Sequence, residues 1–149
     1  MVLSQKTEYA VRAVLELAKR NGSGPITATR IASTQAIPVR FLENILGQLR
    51  QAGIVESVRG KEGGYLLGRR AREVTVGDVV RLVQGPLVIV DCADGDAGRA
   101  CGLRPGCVLQ PVWERAHRAM MDVYESTTFE DLIDREREAN ECNAANYTI

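Results

Sequence analysis

The chain has 149 residues and a mass of 16.3 kDa, which is the size of one ordinary domain or of a small domain with a helical appendage. This length is too short for a barrel enzyme. The composition, 45% apolar and 26% charged, is that of a soluble globular protein, and no stretch approaches the ~18 to 20 uncharged apolar residues that cross a bilayer. We expect no membrane segment. The first residues lack an apolar signal-peptide core, which predicts a cytoplasmic protein.

The formal net charge of zero is an average over two opposed halves. Residues 1–72 carry twelve Lys and Arg against five Asp and Glu, a net of +7, whereas residues 73–149 carry seven against fourteen, a net of −7. A basic N-terminal half favours contact with phosphate, and an acidic C-terminal half is expected to stay off DNA. The boundary near Arg72 therefore predicts a nucleic-acid reader followed by a part with a different role.

Three helices are predicted in the basic half. Apolar residues recur with helical spacing over residues 2–20, and the Gly- and Pro-containing run 21–25 ends this helix. Thr27 can cap a short second helix, and Pro38 fits the first turn of a third, where its missing N–H is not needed. Gly53 is expected to end the third helix.

The third helix has two contrasting faces by the 100° step of an α-helix. Its apolar face groups Phe41, Leu42, Ile45, Leu46 and Leu49. Its polar face groups Arg40, Glu43, Asn44, Gly47 and Gln51. Such a helix buries one side and offers the other to a partner.

Two short strand-like runs, 54–58 and 65–67, follow the third helix and flank Arg59-Gly60-Lys61-Glu62-Gly63-Gly64. They predict a hairpin with a basic, Gly-rich tip. Three helices followed by a hairpin is the element order of a winged helix-turn-helix domain, so the predicted fold is mainly α with a small β-hairpin. A surface helix and an ordinary hairpin would explain each piece alone but not their order together with the charge.

The residue types at the predicted helix face and wing suit DNA. Arg40, Asn44 and Glu43 can read guanine, adenine and cytosine, respectively, in the major groove. Arg59 and Lys61 are placed to reach a narrow minor groove, because the glycines let the wing backbone turn beside a phosphate. Alternatively, Glu43 is a surface charge paired with Arg40 or Arg50.

The sequence resembles the Rrf2 family of bacterial winged-helix regulators, which includes IscR-, NsrR-, RirA- and CymR-like members. The resemblance runs from Met1 to about Asp131 and rests on four motifs, of which the Arg-Gly-x-x-Gly-Gly-Tyr wing is the most specific. The motifs are Leu3-Ser4 through Tyr9-Ala10-Val11-Arg12, Phe41-Leu42-Glu43-Asn44-Ile45-Leu46, Ala52-Gly53-Ile54-Val55 and Arg59 through Leu67. The resemblance implies a homodimeric DNA-binding transcriptional regulator.

A cysteine-rich loop is predicted over residues 91–107. It contains Cys92, Cys101 and Cys107 among Gly and Pro residues that disfavour regular structure. Thiolates suit soft metals and iron–sulfur clusters, and the C-x8-C-x5-C spacing matches no zinc finger. In the resembled family the cluster-binding cysteines lie in this loop, although the eight-residue gap here is slightly longer than usual. The resemblance therefore implies an iron–sulfur cluster, 4Fe-4S favoured and 2Fe-2S possible.

The fourth ligand has several candidates. IscR-like members use a His three residues after the last Cys, where this chain has Gln110. NsrR-like members use a carboxylate in the first helix, and the resemblance implies that Glu8 takes this place, which makes NsrR- and RirA-like cluster sensors the nearest in ligand pattern. His117 lies ten residues past Cys107, ~15 Å along a helix, and fits the edge of an apolar stripe better than a ligand position. Cys142 lies in a polar tail.

Other chemistry at the loop also has to be weighed. Without metal, two of the three thiols could form a reversible disulfide, which predicts a cluster-free, thiol-switched regulator of the same fold. A small iron–sulfur redox protein is a weaker alternative. The acidic residues Asp91, Asp94 and Asp96 are not followed by the Glu that closes a calcium loop. With one His, no Gly-rich nucleotide loop and no Cys-x-x-Cys, the chain lacks the parts of an enzyme.

Two of the remaining segments are predicted to be helical and one to be a tail. We expect residues 73–90 to form a connecting helix packed on the first domain. Residues 108–135 are expected to form a dimerisation helix and a last helix, and residues 136–149 a polar tail. The apolar stripe of the long helix contains Leu109, Val112, Trp113, Ala116, Met120, Val123 and Tyr124. The same helix of a second subunit could cover this stripe, giving a two-fold dimer that binds a palindromic double-stranded operator; an intramolecular core is the alternative. Thr127 with Glu130 forms the predicted capping box of the last helix.

Overall fold

The structure is a computed structural model that describes residues 3–20, 22–90 and 106–146. Within these ranges the chain forms six helices and one two-stranded antiparallel sheet, with a 3₁₀ turn at Ala71–Glu73 before the fourth helix. The elements in chain order are α1 Gln5–Lys19, α2 Ala28–Gln35, α3 Val39–Gln51, β1 Val55–Val58, β2 Gly64–Leu67, α4 Val76–Gln84, α5 Gln110–Ser126 and α6 Phe129–Asn146.

Helices α1 to α3 form the core that the hydrophobic pattern predicts. Ser4 and Thr27 cap α1 and α2 by accepting from the backbone N–H groups of Thr7 and Arg30. The buried face of α3 consists of Leu42, Ile45, Leu46 and Leu49, all fully buried. Burial of each such side chain contributes about 1.5–3 kcal/mol.

Phe41 departs from the predicted apolar face of α3. It is 38% exposed and packs edge-on against Tyr9 of α1, with 5.8 Å between ring centroids. Phe41 lies at the border of the buried face, where an aromatic ring can rest on a neighbouring helix without entering the core. The face that α3 leaves outside is therefore partly apolar.

The hairpin is joined to the helical core through its second strand. Val55 pairs with Leu67 at the buried end of the ladder, and Val58 pairs with Gly64 next to the turn. Ile26, in the connection from α1 to α2, exchanges both backbone hydrogen bonds with Tyr65 at 2.8 and 2.9 Å. The wing is thus held by the pairing of β1 with β2 and by the bridge between Tyr65 and Ile26, and not by its turn alone.

Helix α4 packs on α1, and α5 follows the segment 91–105 that lies outside the described residues. The described residues bury no residue of α5, although this helix contacts α4 through an Arg81–Glu125 ion pair of 2.8 Å. The backbone of Tyr124 passes so close to Gly77 that a Cβ there would lie 3.2 Å from the Tyr124 carbonyl oxygen. A glycine on α4 therefore allows the two helices to approach.

The capping residues predicted for the last helix are one position too early. Thr128, not Thr127, exchanges hydrogen bonds with Asp131, and the hydroxyl of Thr127 donates instead to the carbonyl of Val123 at the end of α5. The register is set by Phe129, which is fully buried and whose N–H donates to the carbonyl of Val74. A buried aromatic side chain outweighs the choice between two similar caps.

The polar sequence after Ile133 is also helical. Helix α6 continues to Asn146, where a polar tail was predicted from residue 136. Lys19 of α1 forms an ion pair with Glu136 at 2.6 Å, which ties the first turns of this extension to the domain. The residues of the extension include good helix formers, so a helix already started by Phe129 can propagate without an apolar stripe. None of the helices in the described ranges combines the length and hydropathy of a bilayer-spanning segment.

Candidate nucleic-acid interface

The outer face of α3 presents the three side chains that the sequence pattern selects for reading DNA. Arg40, Glu43 and Asn44 are all exposed, while Leu42 and Ile45 between and beside them point into the core. Because residues four apart lie on one face of a helix, Arg40 and Asn44 are neighbours near the N-terminus of α3. Their role as DNA contacts stays a prediction.

The alternative in which Glu43 is a surface charge paired with an arginine finds no support. Among the described residues, no basic side chain forms an ion pair with Glu43. Arg50 instead donates to the hydroxyl of Ser57 at 3.3 Å, which links α3 to the first strand of the wing. The Glu43 carboxylate is thus available to accept from a base amino group.

The wing places its two basic side chains at an exposed tip. Arg59 and Lys61 are exposed on either side of Gly60, whose φ of +118° is strained for any residue with a Cβ. The next glycines are required by close approach. A Cβ at Gly63 would collide with the carbonyl oxygen of Val58, and one at Gly64 would lie 2.5 Å from that of Ile26. The Gly-rich tip is therefore built by backbone packing, which fixes where the basic side chains start.

A groove runs beside the reading face and contains residues that the sequence analysis did not select. It has a volume of about 620 Å³ and lies between the start of α1 and the outer face of α3. We call it the α3 groove; its lining residues are Lys6, Phe41, Glu43, Asn44, Gly47, Gln48 and Gln51. Of these, Lys6 comes from α1, so only the tertiary structure brings it to α3.

The predicted cluster ligands are only partly visible. Cys92 and Cys101 lie outside the described residues, and Cys107 is a free, half-buried thiol three residues before α5. Cys142 is a free, exposed thiol on α6. In the described part of the chain no group of three or more His, Cys, Asp and Glu side chains is arranged to hold a metal ion. That part contains one of the three loop cysteines, so the assignment of the ligands stays a prediction.

Glu8 is accessible on the first turn of α1. Its side chain is 64% exposed, and its carboxylate lies 3.8 Å from the guanidinium of Arg12 one turn later. Arg12 also donates to the backbone carbonyl of Gln35 at the end of α2. An exposed pair of this kind is worth about 0–1 kcal/mol, so a metal ligand bond could replace it at little cost.

His117 is half-buried on α5, and its Nδ1 is buried without a hydrogen-bond partner among the described residues. Its neighbours one turn away on the same face, Trp113 and Met121, are also half-buried. This position matches the predicted edge of the apolar stripe. Its role as a fourth ligand stays the weaker prediction.

The outer side of α5 carries exposed apolar side chains that no other part of the described residues covers. Val112 is 52% and Val123 61% exposed, and Leu109 before the helix is 53% exposed. Between them, a groove of about 510 Å³ is lined by Val112, Arg115, Ala116, Arg118, Ala119 and Asp122. The intramolecular core that the sequence allowed for this stripe is therefore absent from the described residues.

Known proteins with similar sequences indicate the family of this chain. A family model described as "Rrf2: Iron-dependent Transcriptional regulator" matches residues 3–135. The transcriptional regulator CymR of Bacillus subtilis is 35% identical over 142 residues, which cover 93% of this chain and 96% of CymR. IscR of Pectobacterium atrosepticum is 32% identical over 140 residues, covering 94% of this chain and 84% of IscR.

Solved structures agree in fold. The structure of CymR (YrzC), described as the global cysteine regulator of B. subtilis, has a TM-score of 0.80 at 33% identity and covers 91% of this chain and 98% of its own. The T. potens IscR structure has a TM-score of 0.76 at 33% identity and covers 93% of this chain and 90% of its own. These matches confirm the predicted winged helix-turn-helix architecture and the prediction that the protein is not an enzyme. The chain belongs to the Rrf2 family of DNA-binding transcriptional regulators.

Proposed function

We propose that this regulator is a homodimer that binds a palindromic operator and whose affinity for that operator is controlled by an iron–sulfur cluster. The observation that carries the DNA-binding part is the shared exposure of Arg40, Glu43 and Asn44 beside a wing whose basic tip is fixed by backbone packing. Both elements lie in the half of the chain with a net charge of +7, twelve basic against five acidic residues. Base contacts from α3 supply specificity, and Arg59 and Lys61 supply phosphate or minor-groove contacts.

The dimer part rests on the uncovered face of α5. A helix that leaves Val112 and Val123 more than half exposed requires a partner for that face, and a second copy of the same helix is the self-complementary choice. A two-fold dimer offers two recognition helices to successive major grooves ~34 to 36 Å apart, which predicts two half-sites related by symmetry.

The control part rests on the donor set. Cys92, Cys101 and Cys107 supply three thiolates from one loop, and the exposed Glu8 carboxylate is available as the fourth ligand. Thiolates with one oxygen ligand fit an iron–sulfur cluster, with 4Fe-4S favoured over 2Fe-2S. When bound, the cluster would supply a group that iron shortage, oxidants or nitric oxide can remove.

We infer that Glu8 couples the loop to the DNA-reading helices. Ligation requires Glu8 to leave Arg12, and Arg12 is the residue that also holds the end of α2 through Gln35. If Glu8 of one protomer serves the loop of its partner, its release changes the position of α1 in one half of the dimer relative to the other. The spacing of the two recognition helices then changes with it.

The test combines composition with binding. The protein purified without oxygen is expected to show visible absorbance and to contain iron and sulfide. Holo and apo forms are then compared by electrophoretic mobility shift on a duplex selected from a randomised pool, and we expect the affinities to differ by about tenfold or more. Equal affinities would remove the coupling while leaving the DNA reader intact.

A thiol-switched regulator without a cluster is the second candidate. The observation that favours it is the likeness to CymR, which is described as the global cysteine regulator of B. subtilis. Here two of the loop thiols would form a disulfide in place of binding iron. A colourless, iron-free protein whose DNA binding changes with dithiothreitol would select this candidate over the first.

A further inference from the structure

Gly47 occupies an unusual place on α3. It lies in the middle of the helix, with ordinary helical backbone angles, between the buried Leu46 and the exposed Gln48. Glycine in a helix interior is destabilising relative to alanine because it loses more backbone freedom on folding. A position of this kind requires a reason.

The fold supplies no reason for glycine at this position. Apart from the adjacent residues and the backbone of α3 itself, no atom of the described residues lies within 4 Å of a Cβ built on Gly47, whereas a Cβ at Gly63, Gly64 or Gly77 would press on backbone. Alanine would therefore fit the described structure and strengthen α3. A glycine that the described fold does not need is explained if a molecule outside the chain lies against the backbone of Gly47.

Gly47 is also part of the lining of the α3 groove. Glu43 and Asn44 line the end nearest the start of α3, while Gln48 and Gln51 line the other end. Lys6 reaches the groove from α1 and is the one cation among those lining residues that the structure describes. The base-reading side chains thus lie at one end, and a cation with two amide side chains lies beside the bare backbone.

We propose that the α3 groove seats one sugar–phosphate strand of the operator against the backbone of Gly47, with Lys6 as the cation that meets the phosphate. This inference rests on the proposed function, because it takes α3 as the recognition helix. Gln48 and Gln51 supply side-chain N–H groups that can donate to phosphate oxygens. The carboxylate of Glu43 faces the bases, because it would repel a phosphate.

The first test is a pair of substitutions at Gly47. Gly47→Ala is expected to raise the melting temperature by about 3 °C, since it removes the helix penalty of glycine, and to weaken operator binding at least fivefold. Gly47→Leu keeps the gain in helix propensity and is expected to weaken binding further, in step with side-chain size. Asn140→Ala, an exposed position of α6, is the matched control: it strengthens a helix but leaves the affinity unchanged.

The second test concerns Lys6. Lys6→Gln is expected to weaken binding to operator and to scrambled duplex alike and to lower the salt slope by about one ion. Lys19→Gln is its control, because Lys19 is the last residue of the same helix and pairs with Glu136. The inference is overturned if Gly47→Ala stabilises the protein without loss of affinity, if it destabilises the protein, or if Lys6→Gln leaves the slope at the wild-type value.

The outcome of Asn44→Ala separates this inference from the proposed function. The assignment of α3 as the reader fails if the selection yields no duplex that the wild type binds. It also fails if Asn44→Ala binds the selected duplex as well as the wild type does. Should Asn44→Ala weaken binding while Gly47→Ala does not, only the seating of the strand at Gly47 fails.

Discussion

The side-chain carbonyl of Gln84 accepts a hydrogen bond of 2.9 Å from the hydroxyl of Thr7. The same oxygen accepts from the backbone N–H of Ser4, also at 2.9 Å. Gln84 is the last residue of α4, and Thr7 is fully buried in the first turn of α1, next to Glu8 in the sequence. One side-chain amide therefore joins the start of α1, the helix that carries both Lys6 and Glu8, to the end of α4.

The energy of this contact can be measured with a double-mutant cycle. Gln84→Leu removes the acceptor of a buried hydroxyl and is expected to cost about 1–3 kcal/mol of unfolding free energy. Thr7→Val removes the hydroxyl and is expected to cost about 1 kcal/mol, and the double variant should lose less than the sum of the two single losses. Urea unfolding of the four proteins gives the coupling energy.

The control for Gln84 is Gln5→Leu. Gln5 also makes a side-chain hydrogen bond, to the hydroxyl of Tyr9 at 3.0 Å, but on an exposed helix surface. Its loss is expected to change the unfolding free energy by less than about 0.5 kcal/mol. Additive losses in the Thr7 and Gln84 variants would mean that the buried contact carries no coupling.

Arg40 and Lys61 are expected to differ in what their loss does to DNA binding. Arg40→Ala should relax sequence preference at one base pair and cost about 1–3 kcal/mol on the selected operator, because a base contact is lost. Lys61→Ala should weaken all sequences alike and flatten the dependence on salt, because a phosphate contact is lost. Fluorescence anisotropy titrations at several salt concentrations check both. A Lys61→Ala variant with an unchanged salt slope would contradict its assignment.

Local sequence signals predicted most of the helices and the hairpin because the elements follow from local physics. The stop at the 21–25 run, the cap at Thr27 and the two strand-like runs of the wing are each set within a few residues. The last helix was less predictable because two Thr residues in a row offer similar caps. Burial of Phe129 against the core decided between them, and that is a tertiary effect.

The candidate site also contains residues that the sequence could predict and residues that it could not. Arg40, Glu43 and Asn44 follow from the period of one helix, so the pattern alone selects them. Lys6 and Gln84 could not be selected, because each acts across elements: Lys6 lies far in sequence from α3, and Gln84 is 77 residues from Thr7. No periodicity within one segment records such contacts.

Dimer formation through α5 can be tested with two variants, each of which replaces one alanine by glutamate. Ala116→Glu adds a larger, charged side chain to the α5 groove and is expected to turn the proposed dimer into a monomer, because the added bulk keeps the two helices from packing closely and the carboxylate would have to lose water in the interface. Ala139→Glu places the same charge on the exposed part of α6 and should leave the dimer intact. Sedimentation velocity gives the masses. A dimeric Ala116→Glu variant would show that the face of α5 is not the interface.

The proposed cluster ligands predict a pattern of cysteine variants. Cys92→Ser, Cys101→Ser and Cys107→Ser should each lose most of the visible absorbance and iron of the anaerobic protein, since three thiolates form the main ligand set. Cys142→Ser should retain both, and Glu8→Gln should bind a cluster that is lost faster in air. Loss of iron on Cys142→Ser with retention on Glu8→Gln would transfer the fourth ligand to the exposed thiol of α6.

The cap of α6 predicts one pH dependence. Hydrogen bonds from the hydroxyl and then from the backbone N–H of Thr128 hold the pKa of Asp131 below its ordinary value of 3.8. Because the folded pKa is lowered, the stabilisation is present above pH 3.8 and is lost as the pH falls from 3.8 through the folded pKa. Thr128→Val should therefore raise the pKa of Asp131 towards its ordinary value in a carboxyl NMR titration. Thr127→Val is the matched control, because the Thr127 hydroxyl donates to the carbonyl of Val123. A shift of the Asp131 pKa in this control instead would place the cap at Thr127.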